Sequence, residues 1–412
     1  MILFYNFLIE IVDFFLPLFK NINNKLRQGV QGRKKTSSIL RKNIKKKDSV
    51  LWFHCASLGE YEQGLPVFEK IKAQNPNSKI VLSFFSPSGY ENLKDNPITP
   101  IVVYLPLDTR KNVDQFITEL NPTLVIFVKS EIWPNYLLSL KKHSTKVILI
   151  SAVFKSNKYL FKLYDVFLRK VLTGFDHIFT QDIQSKKILQ KIGYENITVS
   201  NDTRFDRVTD QLEKDNSLPF IEKFLNSQQC IVAGSTWPED ENILFSFIKN
   251  SPKNIKFIIA PHSINNLRIQ KLLNVFGSKA VLYSNHKIED IAQKQVFIID
   301  TIGILTKIYS YADIAYIGGG MGKSGLHNTL EAAVFGIPII IGKNYSNFPE
   351  AVEMYKNGGL MSVRNAESFN DILDKLLTNK KLLAKCGEKN KNFIIKNKGA
   401  TSIILNKLSY IY

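Results

Sequence analysis

From Ser49 onward the chain follows one rhythm: short runs of β-branched and aromatic residues, each followed by a longer amphipathic stretch. The runs come in two sets. The first reads SVLWFHCA, KIVLSFFS, PIVVYLPLD, TLVIFVKS, KVILISAVF, DHIFTQD and NITVSND. The second starts near Gln229 and reads QCIVAGST, IKFIIAPH, AVLYSN, QVFIID, ADIAYIGGG and IPIIIG. Short β-branched runs separated by helical segments are the mark of parallel sheets built from βαβ units. The pattern therefore predicts an α/β fold with two Rossmann-like, doubly wound parallel-sheet domains. It places an N-terminal arm at 1–47, a first domain at 48–206, a polar linker at 207–228 and a second domain with closing helices at 229–412. In such sheets ligands bind beyond the carboxyl ends of the strands, so the residues that end each run are the candidates for chemistry.

The N-terminal arm is read from its charge. Lys and Arg number 55 against 36 Asp and Glu, a formal net charge of +19. Much of the excess lies between Lys20 and Lys47, a stretch without acidic residues, directly after MILFYNFLIEIVDFFLPLF. That apolar run is about long enough to cross a bilayer, but Asn6, Glu10 and Asp13 recur at helical spacing and form one polar stripe. A helix of this kind lies in a membrane interface more readily than it spans one. The basic segment behind it suits an anionic membrane surface on the cytoplasmic side. A second stretch, KSNKYLFKLYDVFLRK, interleaves basic and aromatic residues and is expected to join it. The alternative is a helix docked on the protein's own core. A nucleic-acid role is disfavoured, because the charge abuts an apolar helix and not a recognisable nucleic-acid module. Cys55, Cys230 and Cys386 form no CxxC pair and the six histidines show no HExxH spacing, which argues against a disulfide frame or a metal site.

Candidate residues gather at the ends of the runs. In HCASLGEYEQG, Glu60 stands at the start of a helix, where a carboxylate can serve as a base or simply complement the helix dipole. KSEIWPN brings Glu131 to the same rim, and NDTRFD brings Arg204, an anion partner or one half of an ion pair with Asp202 or Asp206. In the second half AGSTWPEDE offers Ser235 before a helix, APH offers Pro261 and His262, and DTIG offers Thr301, Ile302 and Gly303. The stretch IGGGMGKSGLHNTLEAAVFGIPIIIG spells two phosphate motifs imperfectly. A Walker loop would need glycine at Ile317, and GxGxxG at Gly320, Gly322 and Gly325 lacks the acidic residue that should end the next strand. What remains is a glycine turn at Gly319 and Gly320 leading to a helix start that favours an anion. His327 reads as a positioning group, and Asn328, Thr329, Leu330 and Glu331 open the helix. Asn328 and Glu331 can also form a capping box.

Taken in order, SLGEYEQGLP, SEIWPN, NDTRFD, AGST, DTIG and LHNTLEAAVFGIPIIIG resemble the Kdo (3-deoxy-D-manno-octulosonic acid) transferases of lipopolysaccharide synthesis. The resemblance implies the glycosyltransferase B architecture, two Rossmann-like domains with a cleft between them. It implies inverting transfer of Kdo from CMP-Kdo to a lipid A precursor, lipid IVA, on the cytoplasmic side of the cell inner membrane. No cofactor beyond the donor and no metal is implied. Carried over, Glu60 matches the catalytic base, and Glu131 and Arg204 match the pair assisting the transition state. CMP contacts map to Pro261, His262, Thr301 to Gly303 and Asn328 to Glu331. The family's Pro-Arg-His is APH here, and Leu326 replaces a glycine before His327, so the phosphate contacts differ in detail. The alternatives are a related enzyme using another nucleotide sugar, or a membrane-tethered nucleic-acid-binding protein.

Overall fold

In a computed structural model that describes residues 1–155, 161–285 and 289–411, the two sets of runs form two seven-stranded parallel sheets. The first contains β1 (Val50–Cys55), β2 (Lys79–Phe84), β3 (Val102–Tyr104), β4 (Leu124–Val128), β5 (Lys146–Ala152), β6 (His177–Thr180) and β7 (Ile197–Val199), in the order β3-β2-β1-β4-β5-β6-β7. The second contains β8 (Gln229–Thr236), β9 (Ile255–Pro261), β10 (Ala280–Leu282), β11 (Val296–Ile298), β12 (Ile314–Ile317), β13 (Ile339–Gly342) and β14 (Leu360–Val363), in the order β10-β11-β9-β8-β12-β13-β14. β14 is the strand absent from the sequence pattern. Its middle residues, Met361 and Ser362, are only half-buried, so it lacks a fully apolar signature.

Each sheet reverses its winding beside its first strand. β1 pairs with β2 on one side and β4 on the other, and β8 pairs with β9 and β12. Loops leaving the two strands at such a reversal part to opposite faces and leave an opening. Every residue of β1 is buried. The Trp52 ring packs at centroid distances of 5.0, 5.4 and 5.6 Å against Phe116, Phe127 and Tyr136. A buried side chain of this kind contributes roughly 1.5–3 kcal/mol, which fixes the strand that carries the first candidate loop.

The chain divides into Met1–Arg207 with Lys398–Tyr412, and Val208–Asn397. Two expectations about boundaries change. The helix Ala400–Leu408 belongs with the first unit and not the second. The Asp206 carboxylate accepts from the backbone N–H of Thr401 at 2.6 Å at its N-terminus, and Ile404 and Leu408 join the core around Phe53 and Phe68. The segment 207–228 is not a plain polar linker either. It includes the helix Pro219–Leu225, whose Ile221 and Phe224 are fully buried.

The basic stretch is no loose arm. It forms the helix Asn24–Asn43, capped by Asn23, with Val30, Thr36 and Leu40 buried. Arg33 donates to the carbonyls of Leu105 and Phe85, and Thr36 to that of Tyr104. Before it, the helix Ile2–Phe15 meets the protein through its polar stripe. Asn6, its buried residue, accepts from Asn135 at 2.8 Å, Asp13 accepts from Asn112 at 3.2 Å, and the Tyr5 hydroxyl donates to Asp108 at 2.7 Å. Leu3, Phe4, Phe7 and Phe14 point outward and are 61–74% exposed. Lys158 and Tyr159 of the second basic and aromatic stretch lie outside the described residues. The helix Phe161–Leu172 follows, with the Phe167 ring 6.2 Å from that of Tyr5.

Asp108 is the buried centre of this docking, since it also accepts from the backbone N–H groups of Asn135 and Tyr136, both at 3.0 Å. Asp108→Ala leaves three donors without an acceptor. It is expected to lower the stability of the first unit by about 3 kcal/mol, read from urea unfolding, since each buried orphan costs about 1–3 kcal/mol. Replacing the exposed Glu10 by Ala should change it by less than about 0.5 kcal/mol.

Candidate active site

The reversal beside β1 brings two sequence candidates to one rim. After β1, Ser57 begins the helix Leu58–Gln74, and Glu60 lies in its first turn, where the Ser57 hydroxyl donates to Glu60 Oε2. After β4 comes Lys129 in a left-handed conformation, φ 71°, and then Glu131. A lysine in this region carries strain that surrounding structure must hold in place. Here the Lys129 N–H donates to the Ile150 carbonyl on β5 at 2.8 Å. The twist carries the Lys129 ammonium to 3.7 Å from Glu60 Oε1. Glu131 Oε2 accepts from the Trp133 indole N–H at 2.8 Å and lies 3.1 Å from His54 Nε2. Both carboxylates face the end of β1: the Cys55 thiol is pushed well up, first by burial and then by the charges of Glu60 and Glu131.

Arg204 starts the helix Arg204–Asp210 behind β7. Its guanidinium donates through Nε and Nη2 to Asp202 Oδ2, each at 2.8 Å, while Asp202 Oδ1 accepts from the Arg204 N–H and from Gln63. Of the two ion pairs the sequence allowed, this is the one with Asp202. Asp206 is used to cap the C-terminal helix. Arg204 is therefore held in a fixed pose, with 27% of its side chain exposed.

In the second unit the rim is built from the ends of β8 and β12. Gly318, Gly320 and Gly342 let backbones touch: a Cβ on Gly318 would lie 2.3 Å from the Ser235 carbonyl oxygen, and one on Gly342 would lie 2.2 Å from the Gly320 carbonyl carbon. Ser235 itself is left-handed, φ 54°. The glycine turn does not offer all its N–H groups to a ligand. The Gly319 N–H donates to Asp240 at 2.8 Å, and buried Asp240 also accepts from the Trp237 N–H and the Tyr316 hydroxyl. The helix expected after it is a single turn, Leu330–Ala333, too short for a useful dipole. Thr329 and Leu330 are buried, so only their backbone can meet a ligand, and the Pro261 side chain is buried as well. Asn328 accepts from the Leu330 N–H and donates to Glu331 Oε1 at 3.0 Å, so these two residues brace each other. Thr301 is half-buried; Ile302 and Gly303 are exposed on the loop after β11.

Three rings form a stack at this rim. Trp237 and His262 lie 4.8 Å apart at 22°, and His262 and His327 lie 4.4 Å apart at 31°. The Trp237 indole donates to His327 Nε2 at 3.0 Å. An indole N–H can only donate, so the neutral His327 ring carries its proton on Nδ1. Burial, and then His262, lower the His327 pKa to about 4, and burial lowers that of His262 as well. Lys129, Trp237, Asp240 and His54 were not among the sequence candidates. All four sit inside stretches quoted from the sequence, but most of their partners come from distant segments that local spacing does not reveal.

Comparison with known proteins bears on the family and the fold. A family model described as 3-Deoxy-D-manno-octulosonic-acid transferase (kdotransferase) matches residues 29–207, and one described as Glycosyl transferases group 1 matches residues 226–393. The chain is 26% identical to the 3-deoxy-D-manno-octulosonic acid transferase of Haemophilus influenzae, over 87% of this chain and 86% of that one. It is 28% identical to the protein of the same description from Aquifex aeolicus, over 83% and 90%. A bifunctional glycosyltransferase/methyltransferase of Fusobacterium nucleatum is 27% identical over 79% of this chain, which spans only 52% of that longer protein. Among solved structures, UDP-GlcNAc 2-epimerase from Neisseria meningitidis bound to UDP-GlcNAc superposes with a TM-score of 0.61, at 14% identity, over 88% of this chain and 100% of that one. That likeness concerns the fold alone. With two doubly wound parallel sheets, the chain joins a first segment matched by the 3-Deoxy-D-manno-octulosonic-acid transferase model, residues 29–207, to a second matched by the group 1 glycosyltransferase model, residues 226–393, and is similar to 3-deoxy-D-manno-octulosonic acid transferases over most of its length.

Proposed function

We propose that the protein transfers Kdo from CMP-Kdo to a sugar hydroxyl of a lipid A precursor such as lipid IVA, with inversion. The observation that carries this reading is the pair Glu60 and Glu131, set on either side of the β1/β4 reversal within the segment matched by the kdotransferase family. Glu60 takes the acceptor proton as the hydroxyl attacks the anomeric carbon and CMP departs. The Ser57 hydroxyl and the Lys129 ammonium beside it hold its carboxylate in place. General-base help of this kind is worth roughly two to four orders of magnitude. Glu131 and Arg204 meet charge that develops in the transition state.

On the donor side His262, Thr301 to Gly303, Asn328 and Glu331 receive CMP, with Ser235 and the backbone of Gly320, Thr329 and Leu330 around it. With its pKa near 4, His327 is a neutral donor through Nδ1 at pH 7 and not a cation for the phosphate. The reading needs no metal or cofactor besides the donor.

The inverted polarity of the helix Ile2–Phe15 supports a place at the cytoplasmic face of the inner membrane. With the 3-10 turns of Leu16–Asn21 it is long and apolar enough to cross a bilayer, yet Tyr5, Asn6 and Asp13 are engaged with the protein. In this reading the helix lies flat, its free apolar face in the interface and the basic helix beside anionic head groups.

Glu60→Gln is expected to remove nearly all transfer of Kdo onto the lipid, followed by mass spectrometry, while CMP binding by calorimetry stays near the unaltered value. More than about a tenth of the rate would exclude Glu60 as the base. Deleting residues 1–19 should leave vesicle binding that high salt abolishes, because only the screened electrostatic part survives. The intact chain should stay partly bound in high salt. The depressed His327 pKa gives a third outcome. Unfolded, the ring titrates near 6.5; folded, near 4, so the stability it contributes is complete above pH 6.5 and is lost as pH falls from 6.5 towards 4. Between pH 7 and pH 5 the unfolding free energy of the second unit should drop by about 1–2 kcal/mol more in the unaltered protein than in His327→Gln.

A further inference from the structure

His54 lies on β1 opposite Ser83 of β2, with its ring fully buried among Trp52, Phe127 and Trp133. Its hydrogen bonds form a single line. The Trp52 indole N–H donates to Ser83 Oγ at 2.7 Å, Ser83 Oγ is 2.8 Å from His54 Nδ1, and His54 Nε2 is 3.1 Å from Glu131 Oε2. Indole can only donate, and a serine hydroxyl has one proton to give. Ser83 is fully buried, and among the described residues no other acceptor reaches its hydroxyl. A buried hydroxyl without an acceptor is costly, so the Ser83 proton goes to His54 Nδ1. That nitrogen is therefore bare, and the ring proton sits on Nε2, pointing at Glu131.

Glu131 Oε2 then receives two N–H donors, from His54 and from Trp133 at 2.8 Å. Among the described residues no donor reaches Oε1. We infer that His54 is a positioning residue, a ring locked by Trp52 and Ser83 in the Nε2–H form that pins one oxygen of Glu131 and leaves Oε1 to the substrate. The line divides the labour of the two carboxylates. Glu131 is a fixed acceptor, held through Oε2 by two N–H donors, and proton removal is left to Glu60. The inference rests on the Kdo-transfer reading for the role of Glu131, but the proton placement does not.

The test has a spectroscopic and a kinetic arm, both on the full chain. With ring-15N histidine, NMR is expected to show His54 with a protonated Nε2 and a bare Nδ1. A bare Nε2, or protons on both nitrogens, overturns the proposal. In Ser83→Ala, which keeps the ring in place, the single tautomer should give way to a mixture, and kcat should fall at least about fivefold with KM for donor and acceptor within about twofold. Wild-type kcat in a folded Ser83→Ala protein overturns it too. His54→Leu should lose about 10- to 100-fold in kcat, and His54→Gln, whose amide can accept from Ser83 and donate to Glu131, should recover most of it. Equal loss in both, with both folded, means a packing role only. Should His54→Leu fail to fold, the NMR pattern and Ser83→Ala still decide. If the unaltered protein transfers no Kdo, the functional reading fails, while the ring-nitrogen pattern still judges the relay.

Discussion

The parallel pairing of β1 with strands wound in opposite directions is the constraint on which the first unit depends. β2 and β4 both bond to β1, and the register places His54 beside Ser83 on one side and Phe127 on the other. Because the backbone groups of β1 are satisfied from both edges, its end is rigid, and the loops beyond β1 and β4 must open to different faces of the sheet. Glu60 and Glu131 are the first carboxylates on those two loops. The second unit meets the same constraint at β8 and β12 and adds glycine, since backbones there approach too closely for any Cβ.

Much of this arrangement is legible in the residues. LVIFV is apolar at every position and VLWFHC at every position but His54, which is what strands covered on both faces require. β14 escapes because Ser362 interrupts it. Strand order is not legible, because nothing local in a crossover says to which side of the sheet it turns. The candidate carboxylates were found because they end runs. Lys129 was not, because an unusual backbone conformation, and not residue type, carries its ammonium to Glu60. From sequence the glycine stretch reads as a turn leading to a helix start that favours an anion. It is a close-packed corner before a single helical turn, with the Gly319 N–H spent on Asp240, a buried carboxylate that looks from sequence like an ordinary helix-start residue.

The N-terminal helix shows why polarity patterns need a partner before they can be oriented. A polar stripe on an apolar helix reads as the wet side. Here it is the dry one, closed by Tyr5, Asn6 and Asp13 on Asp108, Asn135 and Asn112, and the apolar side is left outward. Asn135 and Tyr136, which join this docking, follow closely after the Glu131 loop and its Trp133, so the N-terminal helix and the candidate acid rim share one support.

The return of the C-terminal helix to the first unit has a consequence for the order in which the protein matures. On the ribosome, N-terminal domains usually finish folding before later ones emerge. Here the core around Phe53 and Phe68 includes Ile404 and Leu408, and the carboxylate of Asp206 waits for the N–H group of Thr401. The unit synthesised first is the last to be completed. Until the final segment arrives, an apolar face of the nascent first unit stays uncovered, while the second unit, Val208–Asn397, already holds its whole sheet.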